Sequence, residues 1–579
     1  MIPANTAKEE AIMTMISGMF ALLLLGLVYT QVLNYETYFT QSQRNFIRVL
    51  PIDGPRGRIF DRNGRILVNN RISFDVSCVY QEIGPKDAFI KTVSGILGVP
   101  ARQIIKALNR ASESSLSAPV VICEDIDSKK AIALEELESD LQGLMVENRS
   151  KRDYILADSG AHIFGYLGEI NEEELERLKD YGYRMRSLIG RSGVEKYFNN
   201  YLTGIDGGEQ IEVDSKGRRV NVLGLKEPVA GKDIWLTVDT RLQLLADKLL
   251  ANKTGAIIVM DVHDGALLAM ASRPSYDPNI FIDPDGGGER LRLLRSPSKP
   301  LVNRALGGLY PPGSIFKIVV ACAGLETKRI SRSTRFVCPG RFSLGSAVFH
   351  CWKELGHGSQ DIVEAIKNSC NVFFYNTGRA LGVDTIESYA VKLGFGRPAG
   401  IELQEESAGL VPGRLWKMIA LKDAWYEGET VNYAIGQGYL LVTPIQIIRM
   451  TAAVANGGRL VRPYIVKRIG AVDVSGMRFQ DTGISQETLR IVREGMKRSV
   501  QDDSGTGRRA RVEGLSIGAK TGTAQNPKGA PHAWFTGFAP WDDPKIAIVI
   551  IIEHGGKGGI GPADMAHQIF AEVKDAGLV

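Results

Sequence analysis

From residue 11 to residue 35 the chain carries no formal charge, and the centre of this run reads Met19-Phe-Ala-Leu-Leu-Leu-Leu-Gly-Leu-Val28. A helix of that length and composition can cross a hydrocarbon core of about 30 Å, so this segment has to be accounted for in lipid and the rest in water. A cleaved signal peptide is the rival reading, but it has a shorter apolar region and a small-x-small cleavage site. Here the run continues into Gln31-Val-Leu-Asn without one. Residues 11–33 are therefore read as an uncleaved anchor behind a short cytoplasmic tail, residues 1–10. Charge does not fix the orientation. Only Lys8 precedes the span, offset by Glu9 and Glu10, while Arg44 and Arg48 follow it, so the positive-inside count is ambiguous or even reversed.

The rest of the 579 residues is too long for one core. A composition of 44% hydrophobic and 23% charged residues is that of a globular protein, and a net charge of +5 over the whole length is too dilute to imply a nucleic-acid partner. Asn63-Gly64, between Arg-Ile-Phe and Ile-Leu-Val, is a hairpin signal. The window 86–180 reads as helical, with runs at 129–144 and 171–179, and short β-type segments return over 207–238 with turns at Asp206-Gly207-Gly208 and Lys216-Gly217. Residues 36–235 are thus expected to form an elongated mixed pedestal module, read as a spacer or docking platform.

A second domain, 236–579, opens with a strand, a helix over 241–251 and two apolar strands joined across His263-Asp264-Gly265. It closes with strands at 533–539 and 545–552 and a helix at 563–574. Strands at both ends with helices between predict an α/β (α+β) domain in which one antiparallel sheet is flanked by helices.

Three short segments of this domain can carry chemistry. In Tyr310-Pro-Pro-Gly-Ser-Ile-Phe-Lys317 a tight turn feeds a helix, placing Ser314 at its N-terminus, where free backbone N–H groups can stabilise an oxyanion, with Lys317 on the same face. A lysine becomes a base only when burial or a neighbouring cation lowers its pKa from about 10.4. The similar Ser296-Pro-Ser-Lys299 is rejected, because Pro297 and Pro300 prevent a helix from carrying both side chains. Ser369-Cys-Asn371, after a helical run, offers a hydroxyl to relay a proton and an amide to hold a substrate carbonyl. Lys520-Thr521-Gly522-Thr523, in a strand of small residues, is suited to hold a substrate carboxylate, and the Thr523 N–H can complete an oxyanion hole with that of Ser314.

Ser-x-x-Lys, a second serine motif and Lys-Thr-Gly, in that chain order, resemble the β-lactamase and penicillin-binding group. The chain is most similar to class B penicillin-binding proteins, and the likeness extends to Arg56-Gly-Arg-Ile-Phe-Asp-Arg-Asn-Gly64, Gly190-Arg-Ser-Gly-Val-Glu195 and Asn303-Arg-Ala305. Asn70-Arg71, Gly308-Leu-Tyr-Pro-Pro-Gly313 and His532-Ala-Trp-Phe535 look like the elongation-type branch. The resemblance implies a serine-type D,D-transpeptidase on the outer side of the cytoplasmic membrane, held there by a single-pass anchor. Ser314 would be its nucleophile and Lys317 the base. Ser369 and Asn371 would move the proton to the leaving amine, and Lys520, Thr521 and Thr523 would bind the terminal carboxylate. It also implies peptidoglycan stem peptides on a lipid-linked precursor as substrate, β-lactams as inhibitors, and docking on a multi-pass SEDS-type (RodA-like) glycosyltransferase. A β-lactamase or D,D-carboxypeptidase, and a catalytically silent β-lactam sensor or scaffold, are the alternatives.

Catalysis by a serine and two lysines requires no cofactor. Of the six cysteines, Cys338 and Cys351 bracket a Gly-containing hairpin-like loop between the first two motifs. With His357 and Cys370 they make four ligands of zinc type. A structural zinc, as in some elongation-type relatives, a Cys338 to Cys351 disulfide and plain thiols all stay open.

Overall fold

The computed structural model describes residues 6–39, 47–114, 119–137, 140–213, 219–527 and 529–579. The apolar run forms the helix Thr6–Val28 and a wider turn over Tyr29–Leu33. From Lys8 on its side chains are exposed all round, with Leu22 72% and Leu25 67% exposed, and it is the one helix among the described residues long and apolar enough to cross a membrane. A face-independent apolar surface is stable in lipid and costly in water.

The chain divides into two compact units, each assembled from separate stretches of sequence. One gathers Met1–Pro55, Arg71–Lys151 and Gly204–Ala230, the other Arg56–Asn70, Arg152–Thr203 and Gly231–Val579. In the first, strands Ile47–Ile52, Gly207–Val213 and Arg219–Lys226 form an antiparallel sheet, and helices Lys86–Leu97 and Ala101–Ser114 close a core with Val76, Cys78, Ile122 and Leu134. The turn expected at Lys216-Gly217 lies outside the described residues. The window 86–180 is less helical than its composition predicts. The helix Ser128–Glu135 stops short of 144, and the strands Pro119–Ile126 and Leu144–Tyr154 both pair with the long strand Ile66–Val79, so cross-strand pairing overrides local propensity.

In the second unit, Ile59 faces Val68 and Phe60 faces Ile66 across the Asn63-Gly64 turn, with Gly64 at φ +85°. The fully buried Glu195 ties this hairpin region to the rest. Its Oε2 accepts from Arg56 Nη2 at 2.7 Å and its Oε1 from Arg152 Nε at 2.7 Å, and Arg152 also donates to the Gly57 carbonyl. Burial pushes the Glu195 carboxyl up, but Arg152 and Arg56 together hold it below its ordinary value. The motif residues of the 56–64 and 190–195 segments thus meet in one buried ion cluster.

The larger part of this unit runs through α1 (Thr240–Leu250), β1 (Gly255–Asp261), β2 (Leu267–Arg273), α2 (Lys317–Glu326), α3 (Ile362–Lys367), α4 (Asn371–Leu381), α5 (Pro444–Ala455), α6 (Gln486–Gln501), β3 (Gly518–Ala524), β4 (His532–Ala539), β5 (Ile546–Ile552) and α7 (Gly561–Asp575). The five strands form one fully antiparallel sheet in the order β2-β1-β5-β4-β3, with the β1–β2 hairpin turning at Gly265. Successive residues serve opposite faces. Ile257, Val259, Ile548 and Ile550 pack with Leu242 of α1 and Ile569 and Phe570 of α7, while Ile258, Met260, Val549 and Ile551 pack with α2 and α5. Helices on both faces explain why β5 is an unbroken apolar run. They also leave β3 as an edge strand, paired on one side only among the described residues, so that the other side of its backbone can take a further chain.

Candidate active site

Pro311-Pro312-Gly313 leads into a tight 3-10 turn, Gly313–Phe316, and directly into α2. Ile315, Phe316, Ile318, Val319 and Val320 are fully buried and nail the turn to the core, leaving Ser314 half-buried at the surface with no hydrogen bond to its hydroxyl among the described residues. Gly313 has φ +53°, and its N–H donates to the Gly436 carbonyl at 2.9 Å. A Cβ on Gly313 would lie 2.7 Å from the Thr523 carbonyl oxygen, and one on Gly436 2.1 Å from that of Gly313. Only glycine permits this approach, which seats the serine turn directly against β3.

The helix α3, capped by Asp361 and Glu364, ends in a turn where Ser369 takes φ +52°, a conformation a non-glycine residue adopts only when its surroundings enforce it. Two groups hold it there. The Trp352 indole donates to the carbonyls of Asn368 and Ser369 at 3.0 and 3.2 Å, and Lys317 Nζ donates to the Ser369 carbonyl at 2.8 Å. Lys317 also donates to Asn371 Oδ1 at 2.7 Å and lies 3.3 Å from Ser369 Oγ. From the other side Lys520 Nζ donates to the same Oγ at 2.9 Å and to the Thr521 carbonyl at 2.8 Å. One hydroxyl therefore sits between two fully buried lysines. Burial brings Lys317 down to about 8, and it brings Lys520 well below its ordinary value, with the Lys317 charge adding to the effect.

Ser314, Lys317, Ser369, Asn371 and Lys520 to Thr523 thus come together from a turn, two helix ends and an edge strand, and the rejected Ser296 and Ser298 bond each other on an exposed segment. Residues 255–573 match the model of the penicillin binding protein transpeptidase domain, and residues 51–236 that of the penicillin-binding protein dimerisation domain. The chain belongs to the penicillin-binding transpeptidase family. It is 34% identical to the peptidoglycan D,D-transpeptidase MrdA of Salmonella typhimurium over 96% of this chain and 94% of that protein. Its fold is similar to that of the Helicobacter pylori penicillin-binding protein PBP2 in complex with MreC, with TM-score 0.82 and 28% identity over 92% of this chain and 99% of that one. It is also similar to a chain of a peptidoglycan synthase complex described as coordinating polymerisation and cross-linking, with TM-score 0.76 and 32% identity over 98% of each.

Around the penicillin-binding motifs the structure adds residues that the sequence reading passed over. Gly436, which with Gly438 has positive φ, backs the serine turn, and the His350 carbonyl accepts from both Asn371 Nδ2 and Tyr375 OH at 3.1 Å. The paired glycines of Gly436-Gln-Gly438 are a turn signal that could have marked this loop, whereas the role of a backbone carbonyl leaves no mark in the sequence. Beside them the donor atoms of Cys338, Cys351, His357 and Cys370 all lie within 4.8 Å of one another, with His357 Nδ1 at 3.6 and 3.5 Å from the sulfurs of Cys338 and Cys351. All six cysteines are free thiols, so the disulfide is not formed. The Cys370 thiol, bonding towards the Cys351 sulfur, pulls Cys351 down, and Cys370 itself is pushed up.

Proposed function

We propose that the chain is a peptidoglycan D,D-transpeptidase of cell-wall elongation, acting outside the membrane that its N-terminal helix spans. The observation that carries this reading is the Ser369 hydroxyl shared by Lys317 and Lys520, beside a serine turn that abuts an open strand edge. Neutral Lys317 takes the Ser314 proton as Oγ attacks the carbonyl carbon of the penultimate D-alanine. The oxyanion is held by the N–H groups of Ser314 and Thr523. As the C–N bond breaks, the proton passes through Ser369 to the departing D-alanine amine, leaving an acyl-enzyme. An amine of a second stem peptide then attacks the ester, its proton returns to Ser314, and a new amide is released. Asn371 orients the donor peptide, and Thr521 and Thr523 hold its terminus. β-Lactams acylate the same oxygen.

One of the relatives described above assembles with MreC and another within a synthase complex, which supports a protein partner for this chain as well. We assign that role to a multi-pass glycan polymerase. Reconstitution with such a polymerase and lipid-linked precursor is expected to yield cross-linked dimeric muropeptides. Release of D-alanine without dimers would indicate a carboxypeptidase, rapid turnover of a fluorescent penicillin a β-lactamase, and a stable adduct without either product a sensor.

The four-residue cluster fits a structural zinc. A tetrahedral Cys3His site with Zn–S of about 2.3 Å needs donor-to-donor spacings near 3.7 Å, and three sulfurs and one imidazole nitrogen converge at that scale. A closed set of four ligands leaves no position for a reactive water, so bound zinc would brace the 338–358 loop against the turn at Ser369. Elemental analysis is expected to find about one zinc per chain, reduced in Cys351→Ser, and chelation is expected to lower the melting temperature. A metal-free chain with unchanged melting in chelator would remove the zinc from this account.

A further inference from the structure

In the second unit, residues 555–559, Gly-Gly-Lys-Gly-Gly, link β5 to α7. This loop lies on the strand that grips substrate. A Cβ on Gly558 would sit 2.2 Å from the Gly522 carbonyl oxygen and 2.1 Å from that of Trp534, so the loop backbone rests on the Gly522·Trp534 pair. A Cβ on Gly559 would meet Thr521 Cγ2 at 3.9 Å, which puts the loop on the face that Thr521 and Thr523 share. Gly556 N–H fixes it to the Pro531 carbonyl at 2.9 Å. Lys557 is exposed, and its ammonium has neither an ion pair nor a hydrogen bond among the described residues.

An anionic peptide terminus bound at the open edge of β3 needs a compensating positive charge. Lys520 is poorly placed to give one. Its ammonium points inward to Ser369 and the Thr521 carbonyl, is fully buried, and is held towards the neutral form by that burial. Threonine hydroxyls and backbone N–H groups can donate to a carboxylate but carry no charge. A lysine stem spans about 6 Å, and a chain paired on the edge of β3 lies about 4.8 Å from it, so Lys557 can cover that edge from above.

We infer that Lys557 is a substrate-binding residue of the transpeptidase, pairing with the carboxylate of the terminal D-alanine and with the equivalent carboxylate of a β-lactam. The inference rests on the acyl-enzyme reading above. The glycines on either side of Lys557 serve it twice: they let the backbone touch β3, and they leave the side chain free to swing over the edge.

The test compares acylation of the full-length chain by a penicillin and by the same penicillin esterified at its carboxylate. Lys557→Met is expected to slow acylation by the free acid about tenfold to a hundredfold, with the ester unaffected, so that the wild-type preference for the acid collapses. Lys557→Arg, which keeps the charge, is expected to retain most of that preference. Equal losses on both probes, or no loss on either, would overturn the inference while leaving Ser314 as the nucleophile. Failure of the wild-type chain to form any Ser314 adduct would overturn both.

Discussion

Ser314→Ala is expected to reduce covalent labelling by fluorescent penicillin to background and to lower the cross-linking rate by at least about 10⁴-fold, because the atom that forms the acyl bond is gone and nothing nearby replaces it. Ser369 is an alternative hydroxyl of the site, but it is 6% exposed and engaged by Lys317 and Lys520. Thr521 and Thr523 project from an edge strand and lack the turn that aims Ser314. The fold should not notice the change. The Ser314 hydroxyl makes no hydrogen bond among the described residues, and a substitution at such a position typically moves stability by no more than about 0.5 kcal/mol. The informative result is therefore lost labelling with an unchanged thermal melt. Labelling of the alanine variant at wild-type rate would place the nucleophile elsewhere and end the mechanism.

Much of this site was legible because its chemistry is local. Ser314 and Lys317 lie within one helical turn, and the apolar residues after them already require burial. Ser369 and Asn371 bracket a helix start, and Lys520 to Thr523 form a strand of small residues. What brings these three pieces together was not legible. β1 pairs with β5 across nearly the whole length of the domain, and Gly436 meets Gly313 from a loop more than a hundred residues on. Such contacts depend on tertiary packing, which leaves no periodic trace in the chain. The positive φ of Ser369 is of the same kind, since it is imposed by Trp352 and Lys317 and not by the serine itself. The pedestal region was read less well for a related reason. The strand Leu144–Tyr154 is polar and charged along much of its length, and its pairing, not its propensity, makes it β.

Lys317 offers the second large effect, and its sign is fixed by the direction of its shift. A base must be neutral to accept the Ser314 proton, so acylation should rise with pH through about 8 and level off above it, following a single ionisation. At pH 7 roughly a tenth of the molecules would hold neutral Lys317. With an ordinary lysine near 10.4 the neutral fraction would be about two hundredfold smaller, and the rise would come about two pH units later. Lys317→Arg keeps the charge and cannot be deprotonated, so it should lose about 10²- to 10⁴-fold in acylation at every pH and abolish the rise near 8. The same burial has a consequence for folding. The unfolded chain binds the Lys317 proton more tightly than the folded one, so a penalty of about 3 kcal/mol is fully present below about pH 8 and is relieved as pH climbs from there towards 10.4. Acylation rates measured from pH 6 to 10 on the wild type and Lys317→Arg decide the matter. A wild-type profile that is flat through pH 8, or an arginine variant with the same rise, would remove Lys317 as the base.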